Sequence, residues 1–278
     1  MKQILIMIAA VVLQGCGKQV PTQQAKVQDA KTTTQPPVAE IKQPPAIPKA
    51  ELKEAKLTPG MIAAKKAHEA GNYLEAARFC SMELAAEEAK PAPSWVQLSY
   101  LYNELGRALN NAGLYDKALE HHQKSLAIVL KQLGPEHPIA SFNYNNIGLV
   151  HHNKAEYDKA LENYQKALEI DVKRLGPEHP GVATSYINIG SVHHVKGDYD
   201  KALENFQRAL GMKLKQLGLE HPDVALSYWW IGVALKEKND ISKAKEFIGK
   251  SHTIFLKKLG PNHPDTKNAR AELDALRE

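Results

Sequence analysis

The chain has 278 residues, 43% of them hydrophobic, enough for one or two domains with an ordinary core. Its 36 lysines and arginines barely outnumber its 31 aspartates and glutamates, and the signs alternate along helix faces, as in Lys159, Glu162, Lys166 and Glu169. The sequence carries no basic stripe interleaved with aromatics, so nucleic acid is not an expected partner.

Residues 1–15, MKQILIMIAAVVLQG, begin with a charge and continue into an apolar run from Ile4 to Leu13. A bilayer takes ~20 apolar residues, so this run is too short to span one and fits the core of an export signal. It ends in Leu13-Gln14-Gly15-Cys16, which resembles a bacterial lipobox. The resemblance implies cleavage before Cys16 and diacylglycerol on its sulfur. Each buried acyl CH₂ contributes ~0.8 kcal/mol, so several chains on one cysteine anchor firmly. Gly17 stands where an aspartate would imply inner-membrane retention. The expected location is therefore the cell envelope, lipid-anchored at the outer membrane and facing the periplasm. An ordinary cleaved signal with an incidental cysteine is the alternative.

Residues 16–56 are rich in glutamine, threonine, lysine and proline, with Pro36-Pro37 and Pro44-Pro45 and few large apolar side chains. Such a segment buries too little surface to offset its conformational entropy, which predicts a disordered tether between anchor and folded domain.

From Leu57 the chain repeats. LGPEHP begins at Leu133 and Leu175, LGLEHP at Leu217 and LGPNHP at Leu259, a constant spacing of 42 residues. Glycines at 106, 148, 190 and 232, tyrosines at 102, 144, 186 and 228, and alanines at 118, 160, 202 and 244 keep the same register. A fixed period in this range marks a solenoid or another array. Each unit reads as two helices. His137-Pro138 opens the first, with proline at a position where no N–H is needed. Gly197-Asp198 marks the break, glycine for the left-handed C-cap and aspartate to cap the next helix. The second runs from Tyr157 with Ala160, Leu161, Tyr164, Leu168, Val172 and Leu175 in one stripe. Gly71-Asn72-Tyr73 and Ala76 place a degenerate first copy at 57–98. The fold predicted is all-α, an α-α superhelix of five helical hairpins over 57–266, with a capping helix at 267–278. Ala155, where Gly113 and Gly197 stand in other copies, strains its turn at most. Cys80 is the only cysteine besides Cys16, and falls on the second helix of the first copy, where packing is expected.

The register resembles tetratricopeptide repeats of the 42-residue form found in kinesin light chains. That resemblance implies a concave groove lined by the first helix of each copy. Carried over, it places Asn103, Arg107, Asn145, Asn146, His152, Asn188, His194, Trp230 and Lys236 on the groove. Side-chain amides offer a donor and an acceptor to an extended peptide backbone; bridging between adjacent helices is their alternative use. Trp230 is the ring expected to be exposed, because tryptophan concentrates binding energy at interfaces; packing of both Trp229 and Trp230 is the alternative. His152 and His194, with an ordinary pKa of ~6.5, would make capture pH-sensitive, and no thiolate or carboxylate completes a metal set beside them.

The chain shows no G-x-S-x-G, P-loop or H-E-x-x-H, so neither an enzyme nor a cofactor is expected. The expected function is a membrane-anchored scaffold that binds a protein or peptide partner. A self-associating architectural lipoprotein, or a regulator or assembly factor of a cell-wall or pilus machine, are the other readings.

Overall fold

The structure, a computed structural model, describes residues 57–276. The export signal, Cys16 and the tether lie outside the described residues. Eleven helices follow one another in this span: α1 (Pro59–Glu69), α2 (Tyr73–Glu88), α3 (Trp95–Asn111), α4 (Tyr115–Leu133), α5 (Pro138–Asn153), α6 (Tyr157–Leu175), α7 (Pro180–Val195), α8 (Tyr199–Leu217), α9 (Pro222–Glu237), α10 (Ile241–Leu259) and α11 (Pro264–Ala275). They form five antiparallel hairpins and one closing helix, each helix packed on its chain neighbours. The closing helix starts at Pro264, three residues before the expected boundary, because His263-Pro264 opens it as the same pair opens α5 and α9.

Each hairpin is held by one close approach. The Cβ that Gly106 lacks would sit 2.8 Å from the His122 ring, that of Gly148 2.7 Å from Tyr164, that of Gly190 2.6 Å from Phe206, and that of Gly232 2.5 Å from Ile248. All four opposing side chains are buried. In the first hairpin the same two positions hold Ala64 and Cys80, both in one core cluster. There the extra methyl of alanine faces a side chain smaller than a ring, and the volume between the helices is kept. Burial pushes the Cys80 thiol up to about 12, in keeping with a packed, unreactive sulfur.

The turns inside the hairpins share one form. The N–H three residues past each helix end bonds back five residues, as from Leu114 to the Leu109 carbonyl and from Glu156 to the His151 carbonyl, a Schellman closure with a left-handed residue at its corner. Gly71, Gly113 and Gly197 fill that corner at φ of 77°, 76° and 81°, but Ala155 does so at 58° and Asn239 at 63°. Asp198 does not cap α8 as expected; its carboxylate reaches back to His193 Nδ1 at 3.3 Å. Asp240 does cap α10, accepting from the Lys243 N–H at 3.3 Å. Between hairpins, the histidine before each proline is the cap. Nδ1 of His137, His179, His221 and His263 accepts the N–H two residues on, at 3.1 to 3.3 Å.

Gly148→Ala is expected to destabilise the chain by about 1–3 kcal/mol, since overpacking against Tyr164 outweighs the ~0.5–1 kcal/mol gained from alanine's helix propensity. Ala155→Gly is expected to stabilise by about 0.5–1 kcal/mol, because relief of left-handed strain exceeds the added freedom of the unfolded chain. Urea unfolding of both variants measures each effect; a stable Gly148→Ala chain would contradict the close-approach account.

Candidate functional site

The first helices of successive hairpins touch one another directly, α3 with α5 and α5 with α7, and no pair of second helices among the described residues approaches as closely. The first helices therefore occupy the tighter side of the stack, as the sequence register implied. The residues expected there do gather on that side, though most are used differently.

The asparagines bond to one another. Asn146 donates to Asn103 Oδ1 at 3.0 Å, Asn188 to Asn145 Oδ1 at 3.3 Å, and Asn153 to Asn110 Oδ1 at 3.0 Å. Asn103, Asn145, Asn146 and Asn188 are each 5–6% exposed. The expectation that these amides are free for a ligand backbone is corrected. Each lies within reach of an amide 43 residues away on the next first helix, and a buried amide is costly unless bonded. The spacing of 43, one more than the repeat, was visible in the sequence as the signal for this bridging.

Trp230 is also corrected. At 3% exposure it does not present an open ring, and Trp229 is 4% exposed. Trp230 stacks on Phe206 at 5.3 Å between ring centres and meets Trp229 edge-on at 5.1 Å. The same 43-residue rule explains it. Asn103 faces Asn146 and Asn145 faces Asn188; one period on, the corresponding positions hold Ile187 and Trp230. Both members turn apolar together, so the ring is packed where the amide bridge ends.

Arg107 and Lys236 are engaged within the chain. Arg107 Nη2 pairs with Glu104 at 2.5 Å and Nη1 lies 3.2 Å from His68 Nε2; Lys236 pairs with Glu272 of α11 at 2.9 Å. His152 and His194 are half-buried, edge-on to Tyr157 at 5.8 Å and Tyr199 at 5.5 Å. Burial lowers the pKa of both, so any switch in charge lies below the ordinary histidine range expected for them. Among the described residues no group of three or more His, Cys, Asp or Glu could hold a metal ion.

Of what remains open on this face, Leu149 and Ser191 fall in the groove register read from the sequence, whereas Phe142, Thr184 and Leu226 were missed. Phe142 and Leu149 on α5, Thr184 and Ser191 on α7, and Leu226 on α9 are half-buried, at helical spacing with His152 and His194. Five nitrogens in the same region find no acceptor or donor among the described residues: His152 Nε2, both ring nitrogens of His194, and Nε1 of Trp229 and Trp230. The face thus has an amide-bridged part along α3–α5–α7 and a part at α7–α9 whose polar atoms are unmatched.

His122 is the other functional group that sequence reasoning passed over. Its Nδ1 donates to Asn103 Oδ1 at 2.7 Å, since that oxygen can only accept. Burial, with smaller contributions from the charges of His121 and Arg107, holds its pKa down to about 3. The unfolded chain binds a proton at His122 below pH ~6.5 while the folded chain does not, so stability is present above pH ~6.5 and lost as pH falls toward 3. Urea midpoints measured from pH 7 to 5 are expected to decline, with His122 contributing up to roughly 1.4 kcal/mol per pH unit. In His122→Phe, which copies the residue at 206, that part of the slope should vanish; an unaltered slope would remove His122 from the account.

Comparison with known proteins follows the same lines. The tetratricopeptide repeat profile matches residues 97–171, 139–215 and 183–257, together more than half of the chain. No curated protein matches the sequence. Among solved structures, BtubC (BKLC) from P. vanneervenii is similar at 23% identity and TM-score 0.61, over 72% of this chain and 80% of its own. A Podosopora anserina protein described as a putative kinesin light chain with nearly identical TPR-like repeats matches at 22% identity and TM-score 0.61, over 72% of this chain and 94% of its own. A Pyrococcus horikoshii signal transduction ATPase with a tetratricopeptide repeat sensor matches at 22% identity and TM-score 0.61, over 78% of this chain and 32% of its own. At these identities the likeness shows the fold alone.

Proposed function

Because the chain belongs to the tetratricopeptide repeat family, whose members bind protein partners, we propose that it is a lipid-anchored scaffold that captures an extended segment of one partner on its first-helix face. The observation that carries this reading is the half-open stripe of Phe142, Leu149, Thr184, Ser191 and Leu226. Apolar side chains supply area. The Thr184 and Ser191 hydroxyls can hydrogen-bond an extended backbone, whose N–H and C=O groups have no internal partners. The bridged asparagines and the packed tryptophans form the floor under that stripe and set its spacing.

The anchor is the lipid on Cys16, at the outer membrane and facing the periplasm, with residues 17–56 as the tether. Support comes from the apolar run and the Leu13-Gln14-Gly15-Cys16 sequence. Among the described residues no helix is long and apolar enough to cross a membrane.

Two substitutions separate ligand contact from support. Leu149→Arg places a charge on the half-open stripe and is expected to abolish crosslinking to the partner in intact cells while leaving the melting temperature unchanged. Asn145→Ala with Asn188→Ala removes a buried bridge and is expected to lower the melting temperature. Partner capture by Leu149→Arg at the parental level would refute the assignment of this face. Cys16→Ser is expected to move the chain from the membrane to the soluble fraction and to end processing sensitive to globomycin; continued membrane attachment would refute the anchor.

A further inference from the structure

The outward face of α2 departs from that of every other second helix. In the other four hairpins a cation lies over a tyrosine of the first helix: Lys124 over Tyr102 at 5.7 Å, Lys166 over Tyr144 at 5.8 Å, Arg208 over Tyr186 at 5.7 Å and Lys250 over Tyr228 at 5.8 Å. Each cation also pairs with a glutamate four residues earlier, at 120, 162, 204 and 246. One period before Tyr102, Glu120 and Lys124 stand Gly60, Arg78 and Met82. Tyrosine, anion and cation are all replaced. One period before Asp116 stands Leu74.

The result is an apolar stripe open to solvent. Leu74 is 65% and Met82 59% exposed, and Arg78, Ala85 and Ala89 are exposed with them. At about 100° per residue these five lie within roughly 80° of one face of the helix. No other second helix among the described residues carries such a stripe. The positions of Leu74, Arg78 and Met82 hold Asp, Glu and a cation in α4, α6 and α8, and Ser, Glu and Lys in α10. Size also runs one way along the stripe, with the long side chains at 74, 78 and 82 and only alanines at 85, 86 and 89. Neither Arg78 nor Glu88 has an ion-pair partner among the described residues, the Glu88 carboxylate accepting only from the Tyr102 hydroxyl.

We infer that this stripe is the contact between two copies of the chain, paired antiparallel about Met82. A two-fold axis at Met82 brings the two Met82 side chains together and lays the long half of each stripe on the alanine half of the other. Arg78 of one copy then stands level with Ala86 of its partner, and Leu74 beside Ala89. Glu88 of the partner lies two residues beyond Ala86, about 3 Å along the helix axis, within reach of the Arg78 guanidinium. The pairing occurs twice, once on each side of the axis. Long against short and cation against anion make the stripe complementary to itself, which is what an isologous interface requires. An anionic lipid surface fits poorly, because Glu75 and Glu88 flank the stripe. One helix pair buries less than a standard interface of ~1,600 Å², so the dimer dissociates in the micromolar range. Anchoring of both copies to one membrane would raise their effective concentration.

The test uses the full chain with Cys16→Ser. Cys80 is buried, so Met82→Cys then supplies the one accessible thiol. Mild oxidation is expected to give a disulfide-linked dimer of Met82→Cys. The control, Lys166→Cys at the corresponding place on α6, is expected to stay monomeric. Equal crosslinking of both, or none of Met82→Cys, overturns the proposal. Sedimentation equilibrium gives the second readout: Met82→Lys, which copies the residue of three of the other four hairpins, should weaken self-association at least tenfold with unchanged helical ellipticity. A chain that is monomeric at ~100 μM, as it would be if its own residues before Leu57 covered the stripe, also overturns the proposal. Either failure leaves capture of a partner on the first-helix face untouched, since that face lies on other helices.

Discussion

The distance between a first-helix backbone and the buried side chain opposite it is what the whole array depends on. A glycine on the first helix lets the second come close enough for His122, Tyr164 or Phe206 to lie against it. That contact fixes the geometry of one hairpin. Repeated every 42 residues it fixes the geometry of the next, because each hairpin must present the same surface to its neighbour. The chemistry of the buried group is free to vary, as histidine, tyrosine, phenylalanine and isoleucine show, so long as the glycine opposite it remains. Where alanine replaces glycine, at Ala64, the opposing group shrinks to a cysteine. The constraint acts on the pair rather than on either residue, which is how close-packed interiors behave.

Charge follows the same period but stops short of the ends. Lys154 pairs with Asp116 and Lys196 with Asp158 at 2.6 Å, and Lys238 pairs with Asp200. A second row joins Lys173 to Glu136, Lys215 to Glu178 and Lys257 to Glu220. These exposed pairs contribute little individually; the first row links each hairpin to the next, and the second ties the start of a hairpin to its own second helix. Neither row extends to the junction of the first two hairpins, where Leu74 and Ser94 occupy the anion positions. That junction is made instead by His68 with Arg107 and Asn111, by Gln97 Nε2 with Met61 Sδ at 3.0 Å, and by the Tyr102 hydroxyl with Glu88 at 2.5 Å. At the far end the next anion positions hold Ser242 and Asn262.

Much of this was legible in the sequence, for a reason that also marks where legibility ended. The period, the paired helices, the His-Pro starts and the glycine corners are properties of one copy read against itself. They survive in any sequence that repeats. The asparagines and Trp230 belong to contacts between copies, and a register of 42 says which face a residue occupies without saying what stands across from it. Only the offset of 43 does that, since a first helix leans on its neighbour one residue out of phase. The register puts Asn145 and Asn188 on the correct face and is silent on whether their amides are free. Asp198 shows the same limit at short range: its residue type favours a cap, but His193 five residues earlier offers a partner that the local pattern does not include.

The tighter side of the stack changes character along its length as a consequence. Asn103, Asn110 and Asn145 each meet an amide on the next first helix, and their polar atoms are used up in holding the helices together. One period past Asn145 and Asn188 the positions hold Ile187 and Trp230, and His152 and His194 replace the asparagine at 110. A side chain that bridges cannot also bind, so the amide-rich part of the face is a frame. The nitrogens of His152, His194, Trp229 and Trp230 are buried with no match within the described residues, so that part of the face is packed rather than bridged. The repeat is bridged where it repeats faithfully and unbridged where it departs from itself, around α7 and α9.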